Sequence, residues 1–186
     1  MNQELTPKRK PIMLISIRKF DETDVATKVR WVNDSSNNTY LHYDLPLCED
    51  KTFQWFERIK NENTRFDAVI LADGVPVGLV GLLCIDSKNE KAEYYIMIGE
   101  ATYRGKGVAL KASRLLLDYA FTERKLNKVY LYTEKENFAA QKLFERIGFE
   151  QEGLLVEDLI YCGRKVDRFY YGITATKYFA TNFYYT

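Results

Sequence analysis

The residues Arg104-Gly105-Lys106-Gly107-Val108-Ala109 carry the most specific chemical signal in the chain. They join an apolar, aromatic stretch ending at Ile98 to a segment where Val108, Ala112, Leu115 and Tyr119 recur at helical spacing. Glycines at 105 and 107 let the main chain approach a ligand without a Cβ in the way. The first turn of a helix offers unpaired N–H groups, so strand, loop and helix together make a site for a phosphate or pyrophosphate. Arg104 and Lys106 add positive charge there, although a solvated helix start accounts for the same two cations. Other side chains with chemistry are Glu93 in the preceding strand, Asn137 at the start of a later helix, and Asn38, Tyr40, His42 and Asp44 in an early loop. A carboxylate on a mostly apolar strand facing a cleft suits a general base. Pairing of Glu93 with a cross-strand Lys or Arg is the competing reading. His42 is the one imidazole of the chain; a lone histidine in a loop is more often a surface group than a catalyst.

These groups need a scaffold, and the pattern supplies one. Strands are predicted over residues 13–18, 66–72, 76–85, 92–98, 128–133, 149–161 and 165–173, with Asp73-Gly74 turning the second into the third. Gly78 and Gly81 in the third strand suggest a bulge or a close backbone approach. Helices are predicted over residues 24–33, from Asp50 onward, over 104–124 and over 137–146, with Gly148 as a left-handed cap. The fold class is therefore α/β (α+β) in one domain over residues 13–175, behind a disordered leader (1–12) and ahead of a C-terminal tail (176–186). Trp31 and Trp55 read as helix-face packing, with an aromatic plane for a nucleotide base or sugar as the alternative.

Composition narrows the function. With 27 Lys+Arg against 26 Asp+Glu, the net charge of +1 argues against a general nucleic-acid binder. Cys48, Cys84 and Cys162 are scattered, which argues against a disulfide framework and a zinc site and fits a reducing cytoplasm. Cys84, inside an apolar run, reads as a small buried hydrophobe. No apolar run reaches the roughly 18 residues of a membrane span.

The glycine loop, together with Asn137-Phe138-Ala139-Ala140-Gln141-Lys142-Leu143-Phe144-Glu145-Arg146-Ile147-Gly148-Phe149, resembles the paired signatures of the GCN5-related N-acetyltransferase (GNAT) superfamily. The resemblance spans most of residues 13–173. It implies a mixed, mostly antiparallel seven-stranded sheet flanked by about four helices and splayed between the fourth and fifth strands, opening after Ile96. It also implies acetyl-CoA as co-substrate, no metal, and direct transfer to a primary amine. Ile96, Met97 and Ile98 would pair with the pantetheine arm, residues 104–109 would hold the pyrophosphate, and Asn137 would bond the arm while capping its helix. Glu93 falls where histone-type members carry a catalytic Glu. Phe144 stands where many relatives have a Tyr that protonates the departing thiolate, so the general acid is unassigned. Asn38, Tyr40 and His42 are the expected acceptor contacts. Within the superfamily the chain looks most like the branch of ribosomal-protein, spermidine and amino-sugar-nucleotide acetyltransferases. Arg30-Trp31-x-Asn33-Asp34, Glu152-Gly153-Leu154 and Gly163-x-x-x-Asp167 favour a nucleotide-linked amino sugar, ahead of a protein N-terminus or a polyamine. A cofactor-binding protein without activity, and a homodimer, are both compatible with the sequence.

Overall fold

The computed structural model describes residues 12–182. Seven strands make one sheet: β1 (Ile15–Lys19), β2 (Phe66–Ala72), β3 (Val75–Asp86), β4 (Lys91–Ile98), β5 (Lys128–Glu134), β6 (Glu150–Tyr161) and β7 (Arg164–Thr174). Their order is β1-β2-β3-β4-β5-β7-β6, and among the described residues β4 with β5 is the sole parallel pair. Between β1 and β2 lie α1 (Val25–Asn33) and α2 (Glu49–Ile59). α3 (Val108–Asp118) crosses from β4 to β5, α4 (Phe138–Ile147) leads into β6, and α5 (Ala175–Asn182) follows β7. No helix among the described residues is long and apolar enough to cross a membrane.

The period-2 pattern of the strands decides which side each residue serves. In β2, Ala68, Ile70 and Ala72 join a core with Val108, Leu116, Leu117, Val129 and Leu131 under α3. Val69 points the other way, into a second core with Trp31, Val32, Phe56, Leu79 and Met97 under α1 and α2. Each fully buried Leu or Val contributes about 1.5–3 kcal/mol relative to exposure. Both faces are thus anchored, which makes the sheet a rigid platform.

Several expectations need adjusting. β1 begins at Ile15, and the helix after the glycine loop begins at Val108 and ends in a π-helical turn, Tyr119–Glu123. Most of α5 falls in the stretch read as a tail, where Tyr178 is buried against Phe121. The expected leader, residues 1–12, lies outside the described residues except for Ile12, as do residues 183–186 of the tail. Cys84 is exposed, not buried. The β3–β4 register shifts between Leu83 and Asp86, Cys84 takes a φ of 49°, and the irregularity turns its side chain out of the core. Gly78 and Gly81 are close-approach positions, since a Cβ on either would collide with main-chain oxygen of the neighbouring strand.

Candidate active site

β4 and β5 pair through only three rungs, Lys91–Lys128, Ala92–Val129 and Glu93–Tyr130. Beyond Glu93 they separate, while β4 stays paired with β3 out to Ile98 and β5 with β7 out to Glu134. The sheet therefore opens at Glu93 rather than after Ile96. Among the described residues the β5-facing edge of 94–98 has no strand partner, and a cleft of about 670 Å³ fills the gap. Alternation sends Met97 into the core below α1 and α2, while Ile96 and Ile98 pack on the other side.

At one end of the cleft is the glycine loop. Gly105 (φ 71°) and Gly107 (φ 79°) are both left-handed, and a Cβ at either would meet nothing within 4 Å. The constraint there is the backbone conformation itself. Gly107 is the N-cap of α3 and supplies no side-chain cap. Among the described residues, the amides of residues 105–110 donate to no carbonyl or side chain, so they are available to a ligand. Val108 is buried in the core, and Ala109 lines the cleft.

The two loop cations are placed differently, and Arg104 lines the cleft. The Arg104 guanidinium donates to Ser36 O (3.1 Å), Asn37 Oδ1 and Ile98 O (3.4 Å), tying the α1–α2 loop to the end of β4. Lys106 does not line the cleft; its ammonium lies 5.6 Å from the Tyr103 ring centroid. Lys142 and Arg146 of α4 are cleft cations that the sequence reading did not single out, because at helical spacing they look like a solvated face.

Asn137 caps α4, its Oδ1 accepting from Ala140 N at 3.2 Å, and Gly148 ends that helix at φ 111°. Phe144 lines the cleft while packing on Tyr94 and Phe149. Tyr94 is itself bonded to Ser113 at 2.6 Å.

From the α1–α2 loop, Tyr40 and His42 line the cleft, whereas Asn38 does not: its Nδ2 donates to Val32 O (3.3 Å) at the end of α1. Tyr40 Oη donates to Glu136 O (3.2 Å), and His42 Nε2 lies 2.8 Å from Glu134 Oε1. Glu134, at the free end of β5, is 3% exposed. It was missed because Thr133-Glu134-Lys135-Glu136 reads as a charged turn; its position one step past an alternating strand was the available signal. Glu93 is half-buried in the cleft with no hydrogen bond or ion pair among the described residues. Burial raises its carboxyl pKa, and Arg168 partly counters the rise. Arg168 is itself held by Asp158 at 2.5 Å and lies 4.6 Å from the Tyr132 ring centroid. The same burial, with Glu93 next in weight, pushes Tyr130 up to about 12.

Residues 15–150 match the acetyltransferase (GNAT) domain family. The chain belongs to the GNAT acetyltransferase family. It is 39% identical over 161 residues to a spermidine N(1)-acetyltransferase of Vibrio cholerae, covering 82% of this chain and 88% of that one. An Escherichia coli spermidine N(1)-acetyltransferase is 38% identical over 96 residues, and the match spans about half of each chain (52% and 51%). Among solved structures, a Vibrio cholerae spermidine N-acetyltransferase in complex with CoA and spermine superposes with a TM-score of 0.82, at 29% identity, over 89% of this chain and 98% of that one. A structure of the Vibrio cholerae enzyme described as dodecameric gives 0.77, at 28% identity, over 88% and 95%.

As a GNAT protein the chain is an N-acetyltransferase with acetyl-CoA as donor. The geometry fits that donor: an unpaired strand edge of the length needed for extended amides, ending at open helix-start N–H groups and the Lys142 and Arg146 cations. Among the described residues no group of His, Cys, Asp and Glu could hold a metal ion. Both of these relatives are named for spermidine as acceptor, and neither for the nucleotide-linked amino sugar that the sequence favoured.

Proposed function

We propose that this GNAT protein acetylates a primary amine of a spermidine-like polyamine. The carrying observation is the 39% identity to a spermidine N(1)-acetyltransferase across most of both chains. The acceptor end of the cleft supports it. The early loop supplies few acids, but Glu93 and Glu134 enter from β4 and β5, on either side of the parting. A polycation gains from carboxylates in a partly dry cleft.

In this reading the amides of residues 105–110, with Lys142 and Arg146, hold the phosphates, and the free edge of Ile96, Met97 and Ile98 aligns the arm. Asn137 adds a contact through its amide nitrogen while its oxygen stays on Ala140 N. The donor supplies an activated acetyl thioester. The work of the protein is to deprotonate and place the amine. An aliphatic ammonium near pKa 10.4 must lose a proton at neutral pH, a cost of about 4–5 kcal/mol. Glu93, unpaired and with its pKa raised by burial, is the base. A main-chain N–H on the free edge of β4 near Ile96 would polarise the carbonyl. Assembly into homo-oligomers and a cytoplasmic location belong to the same proposal.

Thiol release measured with spermidine, spermine, putrescine, an N-terminal peptide and an amino-sugar nucleotide tests the acceptor. Spermidine or spermine should exceed the last two by at least about 100-fold in kcat/KM. Preference for the sugar nucleotide or peptide would overturn the acceptor assignment, and cofactor binding with no acceptor-dependent thiol would overturn the activity.

A further inference from the structure

Phe144 leaves the reaction without the hydroxyl that could manage a second proton, and the structure places an unassigned acid–base pair in the same cleft. Glu134 is held rigidly. Its backbone pairs with Arg168 of β7, and its carbonyl accepts from Asn137 N at 3.0 Å. Its nearly buried carboxylate lies 2.8 Å from His42 Nε2 and, more loosely, 3.8 Å from the Arg164 guanidinium. A carboxylate only accepts hydrogen bonds, so Nε2 carries the hydrogen of this contact when the imidazole is neutral. Nδ1 then carries a bare lone pair, and among the described residues nothing bonds to it.

The loop bearing His42 is fixed from several sides. Tyr161 packs its ring edge-on to the imidazole (centroids 5.0 Å apart, 66°) and donates from its hydroxyl to Tyr43 O at 3.1 Å. Tyr40 bonds Glu136 O, and Arg104 grips Ser36 and Asn37. The His42 side chain is 23% exposed and lines the same cleft as Glu93, Tyr132 and Phe144. An oriented imidazole with a free Nδ1 lining a reaction cleft goes well beyond a passive acceptor contact.

We propose that His42, oriented by Glu134, is a second proton acceptor in acetyl transfer, with Glu134 as its positioning residue. This rests on the aminolysis reading above. A primary ammonium carries three protons and the amide product carries one. Glu93 takes the first, freeing the lone pair that forms the C–N bond. His42 Nδ1 takes the second from the nitrogen once that bond exists. The sulfur leaves with the C–S bonding pair, and the imidazolium gives its proton to that thiolate. One proton is released overall, from Glu93 to solvent. The groups facing His42 that set its behaviour are Glu134 on β5, Tyr161 on β6, Arg164 on β7, and Glu93 with Arg168 across the cleft.

Because His42 is the single histidine of the chain, ¹⁵N-edited imidazole spectra of the intact protein report on it alone. The expected spectrum shows the Nε2–H tautomer in the wild type and loss of that fixed tautomer in Glu134→Gln. An Nδ1–H tautomer in the wild type would overturn the proposal, whatever the acceptor. In kinetics with the best amine of the panel, His42→Ala should lose about 10²-fold or more in kcat, with KM for acetyl-CoA within threefold, and recover in proportion to added imidazole. Glu134→Gln should lose about tenfold in kcat and flatten the pH profile, while Glu134→Asp should retain most of the rate. A His42→Ala kcat within threefold of wild type, or a loss confined to the acceptor KM without imidazole rescue, would refute the role. A failed polyamine assignment shows instead as activity on a different amine, with the His42 results unchanged.

Discussion

Glu93 stands on the last rung before β4 and β5 part, so one carboxylate marks both the end of sheet pairing and the start of the reaction space. Its raised pKa has consequences for rate and stability of opposite sign. Glu93→Gln should lower kcat/KM by about 10²–10⁴-fold and abolish the acidic limb of the rate profile. The stability effect follows from linkage: a carboxyl whose folded-state pKa lies above its unfolded value favours the fold only at low pH, and that advantage is lost as pH rises through the folded value. Thermal melts should therefore show the Gln variant at least as stable as wild type at pH 7. A variant that melts well below wild type would show Glu93 to be a structural ion-pair member. The sequence left these two readings of Glu93 level. What separates them is Arg168, which lies close enough to act on it yet is already taken by Asp158.

At the scale of elements, the glycine loop and the helices on either side of it were readable because their chemistry is local. Left-handed backbone at 105 and 107, an Asn cap at 137 and a Gly cap at 148 are demands that a short stretch of sequence advertises. What depended on tertiary placement was not readable. Arg104 reads as a phosphate contact by adjacency, but its bonds to Ser36 and Asn37, far away in the chain, were not readable. Asn38, with the same polarity as its neighbours, turned out to serve the end of α1. Glu134 became visible only once β5 was paired with β7 and the early loop folded across it. Gly107→Ala tests the loop directly. With φ at 79° and open space around the Cβ, the penalty is conformational, about 1–2 kcal/mol. It should appear as a rise in the dissociation constant for CoA of about tenfold in calorimetry, with the amine KM unchanged.

For the whole molecule, two cores on opposite faces of one sheet set where strain is tolerated. The core beneath α1 and α2 encloses a lysine. Lys28 is 6% exposed, with its ammonium 3.3 Å from the Trp55 ring centroid and Phe20 and Tyr43 close by. Burial brings its pKa down to about 8; Asp67 opposes the shift and Arg65 adds to it. A lysine depressed on folding costs stability while it is charged in both states. That cost is removed as pH rises from about 8 toward the unfolded value of 10.5. Lys28→Met should accordingly melt higher than wild type at pH 7, with the gap closing by pH 10. A gap that stays constant across that range would mean that packing on Trp55, not charge burial, governs the site. The sequence indicated Trp55 as helix-face packing, but not that its face would hold an ammonium, since Lys28 looks like the polar side of an amphipathic helix.

The grip of Arg104 on Ser36, Asn37 and the Ile98 carbonyl joins the two halves of the cleft mechanically. The segment that must settle around a diphosphate is fastened to the one that must receive the incoming amine. Neither half can shift without pulling on the other. Under the proposed function, initial-velocity and product-inhibition kinetics are therefore expected to show ordered addition of the two substrates, and Arg104→Ala to weaken that order.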